Sequence, residues 1–102
     1  MYINQAEQIA GIPASWPGYV LAVGSSGDAV LQIQEQLNAI SNNYPLIPRV
    51  VVDGIYGPAT AESVRIFQGI FGLTQDGIVG RRTWYKIQEI YVGVTRIAEL
   101  NP

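Results

Sequence analysis

Asp53-Gly54-Ile55-Tyr56-Gly57-Pro58-Ala59-Thr60 is answered 23 residues later by Asp76-Gly77-Ile78-Val79-Gly80-Arg81-Arg82-Thr83. The shared frame, D-G-I-x-G-x-x-T, describes a turn that launches a helix. Asp-Gly is a turn signal, because the Asp side chain can bond backbone two residues on and Gly accepts positive φ. The Ile is expected to plug inward, the second Gly (Gly57, Gly80) suits an N-cap, and Pro58 falls at N1, where no amide donor is needed. Thr60 and Thr83 sit where a hydroxyl can return to the loop, so Asp53 is expected to meet Thr60, and Asp76 to meet Thr83. Asp53, Gly54, Gly57, Thr60, Asp76, Gly77, Gly80 and Thr83 are therefore read as structural turn and cap positions.

Each turn opens an amphipathic stretch. Val64, Phe67 and Phe71 follow the first, and Trp84, Ile87 and Tyr91 the second, both at i, i+3 and i+7. Upstream, Ser25-Ser26-Gly27-Asp28 starts another helix, with a serine as N-cap oxygen and Asp28 complementing the helix dipole. Val30, Ile33, Leu37 and Ile40 form its apolar stripe, while Gln32, Gln34, Glu35, Gln36 and Asn38 cover the rest. The spacing predicts helices over roughly 27–40, 58–71 and 81–92. In the loop from Ser41 to Val52, Pro45 and Pro48 hold an extended stretch that leads into a short β-like segment, Arg49-Val50-Val51-Val52.

Helices this short need tertiary burial to be stable, and the three stripes supply it. The fold class expected is all-α: a compact three-helix bundle with tight Asp-Gly launching turns, spanning residues 21–102. Residues 1–20 read as an irregular N-terminal arm or linker, because Gly11, Pro13, Pro17 and Gly18 interrupt any helical period. A turn of helix is expected at Ala6 to Ala10, and Trp16 and Tyr19 are expected to pack onto the domain.

Composition bounds the chemistry. With 48% apolar and 14% charged residues in 102, the chain is too apolar for disorder and suits a single globule. No apolar run reaches the roughly 18–20 residues of a membrane span, so no membrane insertion is expected. Cysteine and histidine are both absent, which excludes thiol nucleophiles, disulfides, imidazole bases and the usual zinc ligand sets; no metal and no cofactor are expected. A net charge of -2 argues against nucleic acid as a partner. Residues 1–48 hold three acids and no base, while all six bases follow; spread bases of this kind ordinarily solvate a surface, and the C-terminal half is expected to face an anion only where they cluster in space. The N-terminus lacks the basic start and apolar core of a signal peptide and reads as a domain cut from a longer protein.

The stretch from about Leu21 to Val92 resembles the small helical peptidoglycan-binding domain found beside many bacterial cell-wall hydrolases. The resemblance rests on three ordered signatures. Leu21-x-x-Gly24-Ser25-x-Gly27-x-x-Val30-x-x-Ile33-Gln34-x-x-Leu37 is similar to the family's first helix. Asp53-Gly54-Ile55-Tyr56-Gly57-x-x-Thr60-x-x-x-Val64-x-x-Phe67-Gln68 and Phe71-Gly72-Leu73-x-x-Asp76-Gly77-x-x-Gly80-x-x-Thr83-Trp84 are similar to its two remaining helices. The related pro-segments of animal matrix metalloproteases end in a Cys-bearing inhibitory peptide that is missing here. The resemblance implies a non-catalytic, monomeric module that anchors a covalently linked hydrolase or remodelling enzyme to peptidoglycan, both glycan and stem peptide. It further implies a location in the bacterial envelope, cell wall or spore, or outside the cell. An assembly module that keeps the bundle but lacks glycan affinity is the alternative, motivated by the apolar arm around Trp16 and Tyr19 and by the Tyr44 to Pro48 loop.

A peptidoglycan site needs an aromatic platform, amide partners and a cation or two. Tyr44, Tyr56 and Tyr85 are candidate platforms, Gln68 a candidate amide partner, and Arg49, Arg81 and Arg82 candidate anion partners. Tyr85 and Arg82 lead, because they fall off the stripe that Trp84, Ile87 and Tyr91 define. Trp84 itself is read as core. Catalysis of glycoside hydrolysis needs two carboxylates across a cleft, and the tempting pair, Asp53 and Asp76, already has turn duties, so no catalytic residue is assigned.

Overall fold

Three helices, α1 (Asp28–Ser41), α2 (Pro58–Ile70) and α3 (Arg81–Leu100), follow one another along the chain, and no named strand occurs among the described residues. The structure is a computed structural model that describes residues 14–100. Residues 1–13, with the helical turn expected at Ala6 to Ala10, lie outside that range. The expected stripes form the core. Val30, Ile33, Leu37 and Ile40 of α1, Val64 and Phe67 of α2, and Trp84 and Ile87 of α3 are all buried together. Leu21, Ile47, Tyr56 and Val79 close it from the connecting segments.

Each helix starts on glycine. Gly27 caps α1 and Gly57 caps α2 with no side-chain cap bond, and the first α3 bond runs from the Trp84 amide to Gly80 O at 2.9 Å. Pro58 stands at N1 as its missing donor requires. The serine cap expected for α1 is not formed: Ser25 Oγ instead accepts the Ala22 amide at 3.0 Å, tightening the turn before the helix.

The three launching turns are stitched to one another. Gly24 and Tyr56 are joined by the Gly24 N–H to Tyr56 O bond, Tyr56 N–H returns to Ser25 O, and Gly27 N–H reaches Gly54 O. Leu21 pairs in both directions with Val79 in the second Asp-Gly turn. The chain from Leu21 to Gly27 thus ties the two copies of the repeat side by side. The Tyr56 hydroxyl adds a buried bond, donating to Gly77 O at 2.6 Å.

The element that holds each turn in place is a glutamine from the preceding helix. Gln34 of α1 donates from Nε2 to Asp53 Oδ1, Ile55 O and Thr60 Oγ1, and its Oε1 accepts the Asp53 and Gly54 amides. Gln68 of α2 does the same for the second turn, reaching Asp76 Oδ1, Ile78 O and Thr83 Oγ1 and accepting the Gly77 amide. Asp and Thr therefore meet through a shared carboxamide rather than directly. Gln34 was expected on the polar cover with Gln36, but both are buried, at 1% and 6% exposure. Gln36 pairs with Gln88 of α3 by two reciprocal amide bonds of 2.8 and 2.9 Å, so the buried amides satisfy each other.

Three further expectations are corrected. The Ile of each frame does not plug inward: Ile55 and Ile78 are exposed, at 60% and 39%, and the next residue, Tyr56 or Val79, fills the core instead. No β-ladder forms at Arg49 to Val52; the Asn38 side chain takes the place of a strand, donating to Val50 O and accepting Val50 N–H, both at 2.8 Å. A side-chain amide carries the same donor and acceptor as a backbone peptide, so one residue suffices. The last helix continues to Leu100 instead of ending near 92. Val94, buried, extends the stripe one turn beyond Tyr91, and Gly93 lies on the exposed side, where it costs only its intrinsic propensity.

The arm meets α3. Trp84 Nε1 donates to Ala14 O at 3.0 Å, the Ala14 amide donates to Gln88 Oε1, and the Trp16 ring stands edge-on to Trp84 with centroids 6.0 Å apart. Trp16 packs as expected, whereas Tyr19 is more than half exposed.

Candidate functional site

A groove of about 310 Å³ opens between the second Asp-Gly turn and the start of α3. Leu73 and Thr74 form one side, Asp76 and Ile78 the turn side, and Arg81 and Arg82 the helix side, with Gln68 and Thr83 beneath. The turn holds its shape because Gly77 adopts φ +71°, a conformation that side chains rarely take, and sits against the Ala61 carbonyl. Asp76 accepts both Gln68 Nε2 and its own turn amide, Ile78 N–H, on Oδ1.

The sequence candidates divide between this groove and elsewhere. Arg81 and Arg82 are exposed on its rim. Tyr85 adjoins them: the Arg81 guanidinium lies 5.8 Å from the centre of its ring, within cation–π range, and its hydroxyl accepts the Trp16 amide at 2.9 Å. Tyr85 is 39% exposed, so part of its ring faces solvent. Gln68 is in the groove lining, but its carboxamide is consumed by the turn and it is 1% exposed. Tyr56 has no free face, being 1% exposed in the core, and burial pushes its hydroxyl well above the usual tyrosine range. Both are framework residues.

Tyr44 and Arg49 lie outside the groove. Tyr44 packs edge-on to Phe71, with centroids 5.0 Å apart, and with Pro45, Leu46 and Ile70 lines a smaller, apolar depression of about 200 Å³. Arg49 donates to Asn38 O and Asn42 Oδ1, so it supplies donors to the last turn of α1.

The carboxylates serve their turns. Bonds from the Ile55 amide and then from Gln34 hold Asp53 below the usual carboxylate range, and Asp76 is bonded in the equivalent way. No cluster of acidic residues able to hold a metal ion occurs among the described residues, and none of the described helices is long and apolar enough to cross a membrane. What sequence reasoning missed is the glutamine plug. Its signal was present, since Ile33-Gln34, Phe67-Gln68 and Ile87-Gln88 repeat an apolar-Gln pair at the same place on each stripe.

Comparison with known proteins agrees with this architecture. Residues 26–87 match the peptidoglycan binding domain family. The zinc D-Ala-D-Ala carboxypeptidase of Streptomyces albus G is 40% identical over 77 residues, covering 74% of this chain and 28% of that protein. The N-acetylmuramoyl-L-alanine amidase CwlA of Bacillus subtilis is 41% identical over 58 residues, 49% of this chain and 19% of the amidase. The chain thus spans only a fraction of either relative. Among solved structures, the SleB N-terminal domain superposes with a TM-score of 0.64 at 30% identity, covering 76% of this chain and 99% of that one. A fused Zn-dependent amidase/peptidase/peptidoglycan-binding protein from Clostridium acetobutylicum gives 0.60 at 33% identity, over 68% of this chain and 28% of that one.

Proposed function

Because this chain belongs to the peptidoglycan binding domain family, we propose that it is a non-catalytic module that holds a cell-wall hydrolase or remodelling enzyme on bacterial peptidoglycan, in the envelope or outside the cell. The observation that carries this reading is the extent of the match, which takes in all of α1 and α2, both Asp-Gly turns and the start of α3. The part-exposed Tyr85 ring beside Arg81, with Arg82 on the neighbouring groove rim, offers the platform and cations such a ligand needs. Relatives named as a carboxypeptidase and an amidase support a linked wall enzyme as the partner.

Co-sedimentation with purified sacculi tests it. The folded chain is expected in the pellet at low salt, and Tyr85→Ala is expected to shift it toward the supernatant. A wild-type chain that stays soluble would remove the reading. Exposed Tyr19, Val20 and Val23 favour a second one, an assembly module. Concentration-dependent self-association without sacculus binding would select it.

A further inference from the structure

We propose that the groove beside the second Asp-Gly turn takes a free carboxylate of the peptidoglycan stem peptide, with the Arg81 and Arg82 guanidiniums as its partners. The proposal rests on the reading of the chain as a peptidoglycan-binding module and names what this groove recognises.

The internal repeat supplies its own control. Both turns use the same plug, the same Asp and Thr acceptors and the same glycine start, yet the first continues into Pro58-Ala59 and the second into Arg81-Arg82. The first copy shows that the frame closes without arginines at these positions. Nor do these side chains serve another acid: Arg65 is bonded to Glu62 and Lys86 to Glu89, while neither Arg81 nor Arg82 has an ion pair or hydrogen bond from its guanidinium among the described residues.

The groove's other polar atoms are largely spoken for. Gln68, Thr83 Oγ1 and Asp76 Oδ1 bond one another, which leaves two guanidiniums, the Thr74 hydroxyl and one oxygen of Asp76 toward solvent. Two positive charges against one negative give the groove a net attraction for anions, and the start of α3 adds to the same field. The lining holds no aromatic ring, so it offers no stacking face for a sugar. The glycan strand of peptidoglycan is built of N-acetylated sugars whose lactyl acid is tied up as an amide, so its free carboxylates belong to the peptide. A planar carboxylate is the group a guanidinium fork matches best.

The test is an amide-resolved NMR titration of the 102-residue chain with L-alanyl-γ-D-glutamyl-L-lysine and with the same peptide carrying amides in place of its carboxyl groups, run beside sacculus retention. The acid peptide is expected to shift the amides of Thr74 and Arg81 to Thr83, and the amidated one to leave them in place. Arg81→Gln/Arg82→Gln is expected to abolish the shifts and weaken sacculus retention about tenfold, whereas Arg65→Gln retains both. Both arginines are exposed, so an unchanged unfolding midpoint of the double variant serves as its folding control, with Arg82→Gln alone as a milder form. Equal binding of the amidated peptide, or wild-type retention of the double variant, overturns the carboxylate site while leaving the cell-wall reading intact. A wild-type chain not retained at all overturns both.

Discussion

Gln34 and Gln68 occupy equivalent positions: each lies inside one helix and bonds the Asp side chain, the following carbonyl and the Thr hydroxyl of the turn that launches the next helix. A neutral carboxamide offers two N–H donors, here shared among three close oxygens, beside an oxygen that accepts a turn amide from the same place. The turns keep their shape although 19 residues separate Gln34 from Asp53 and only 8 separate Gln68 from Asp76.

Replacing either plug with an isosteric apolar residue strands its partners. Gln34→Leu leaves the Asp53 and Gly54 amides without an acceptor and removes the donor from Thr60 and Ile55, and Gln68→Leu strands the Gly77 amide and removes the donor from Thr83 and Ile78. Urea denaturation is expected to show a loss of about 3 kcal/mol for each. A loss under half of that would mean that water fills the vacated position.

Tyr56→Phe isolates a single bond. The ring stays in the core while the Gly77 carbonyl loses its buried donor. The expected cost is about 1–2 kcal/mol. Because burial raises the Tyr56 pKa, neutral tyrosine is the form the fold favours, and that contribution is complete below the ordinary value of 10.0 and lost only as the pH rises through the folded value. The variant therefore blunts alkaline unfolding.

Acid acts at the first turn. Asp53 is held below its ordinary 3.8 by the Ile55 amide and Gln34, so the charged form is favoured in the fold. Its contribution is complete above pH 3.8 and lost as the pH falls through the lower folded value. Thermal melts recorded below pH 3.8 should fall less steeply for Asp53→Asn than for the wild-type chain. Glu62→Gln, which removes the exposed pair with Arg65, tests how much of the slope comes from a carboxylate outside the turns.

Gly77 and Gly72 separate backbone strain from crowding. Their φ angles are +71° and +75°, but a Cβ at Gly77 would meet Ala61 O at 3.1 Å while one at Gly72 meets open space. Gly72→Ala is expected to cost about 1 kcal/mol for the left-handed conformation alone. Gly77→Ala should cost clearly more in the same denaturation series; equal losses would show that the α2 start yields freely.

The helices and their starts were legible because their causes are local. Asp53-Gly54 and Asp76-Gly77 announce turns within two residues, and the stripes from Val30, Val64 and Trp84 announce faces within three helical turns. The end of α3 was harder to read, since Gly93 interrupts propensity while burial of Val94, a tertiary effect, carries the helix on. Gln34 and Gln36 were misassigned to solvent for the same reason: residue type favours exposure, and only partners distant in sequence, Asp53 and Gln88, reverse it. Of the candidate ligand residues, Arg81, Arg82 and Tyr85 converge because one helix carries them. Tyr56 is a candidate platform at a turn position that often tucks into a bundle, and its burial follows the second of these; nothing in the sequence indicates that its hydroxyl spans to Gly77.

The Gly54 and Gly77 amide protons sit in short connectors near the surface, where rapid exchange with deuterium would be the ordinary outcome. Since each is captured by a carboxamide rooted in the middle of another helix, release requires that helix to loosen as well. The connectors should then be among the last places to lose their protons, and the module should come apart as one cooperative unit.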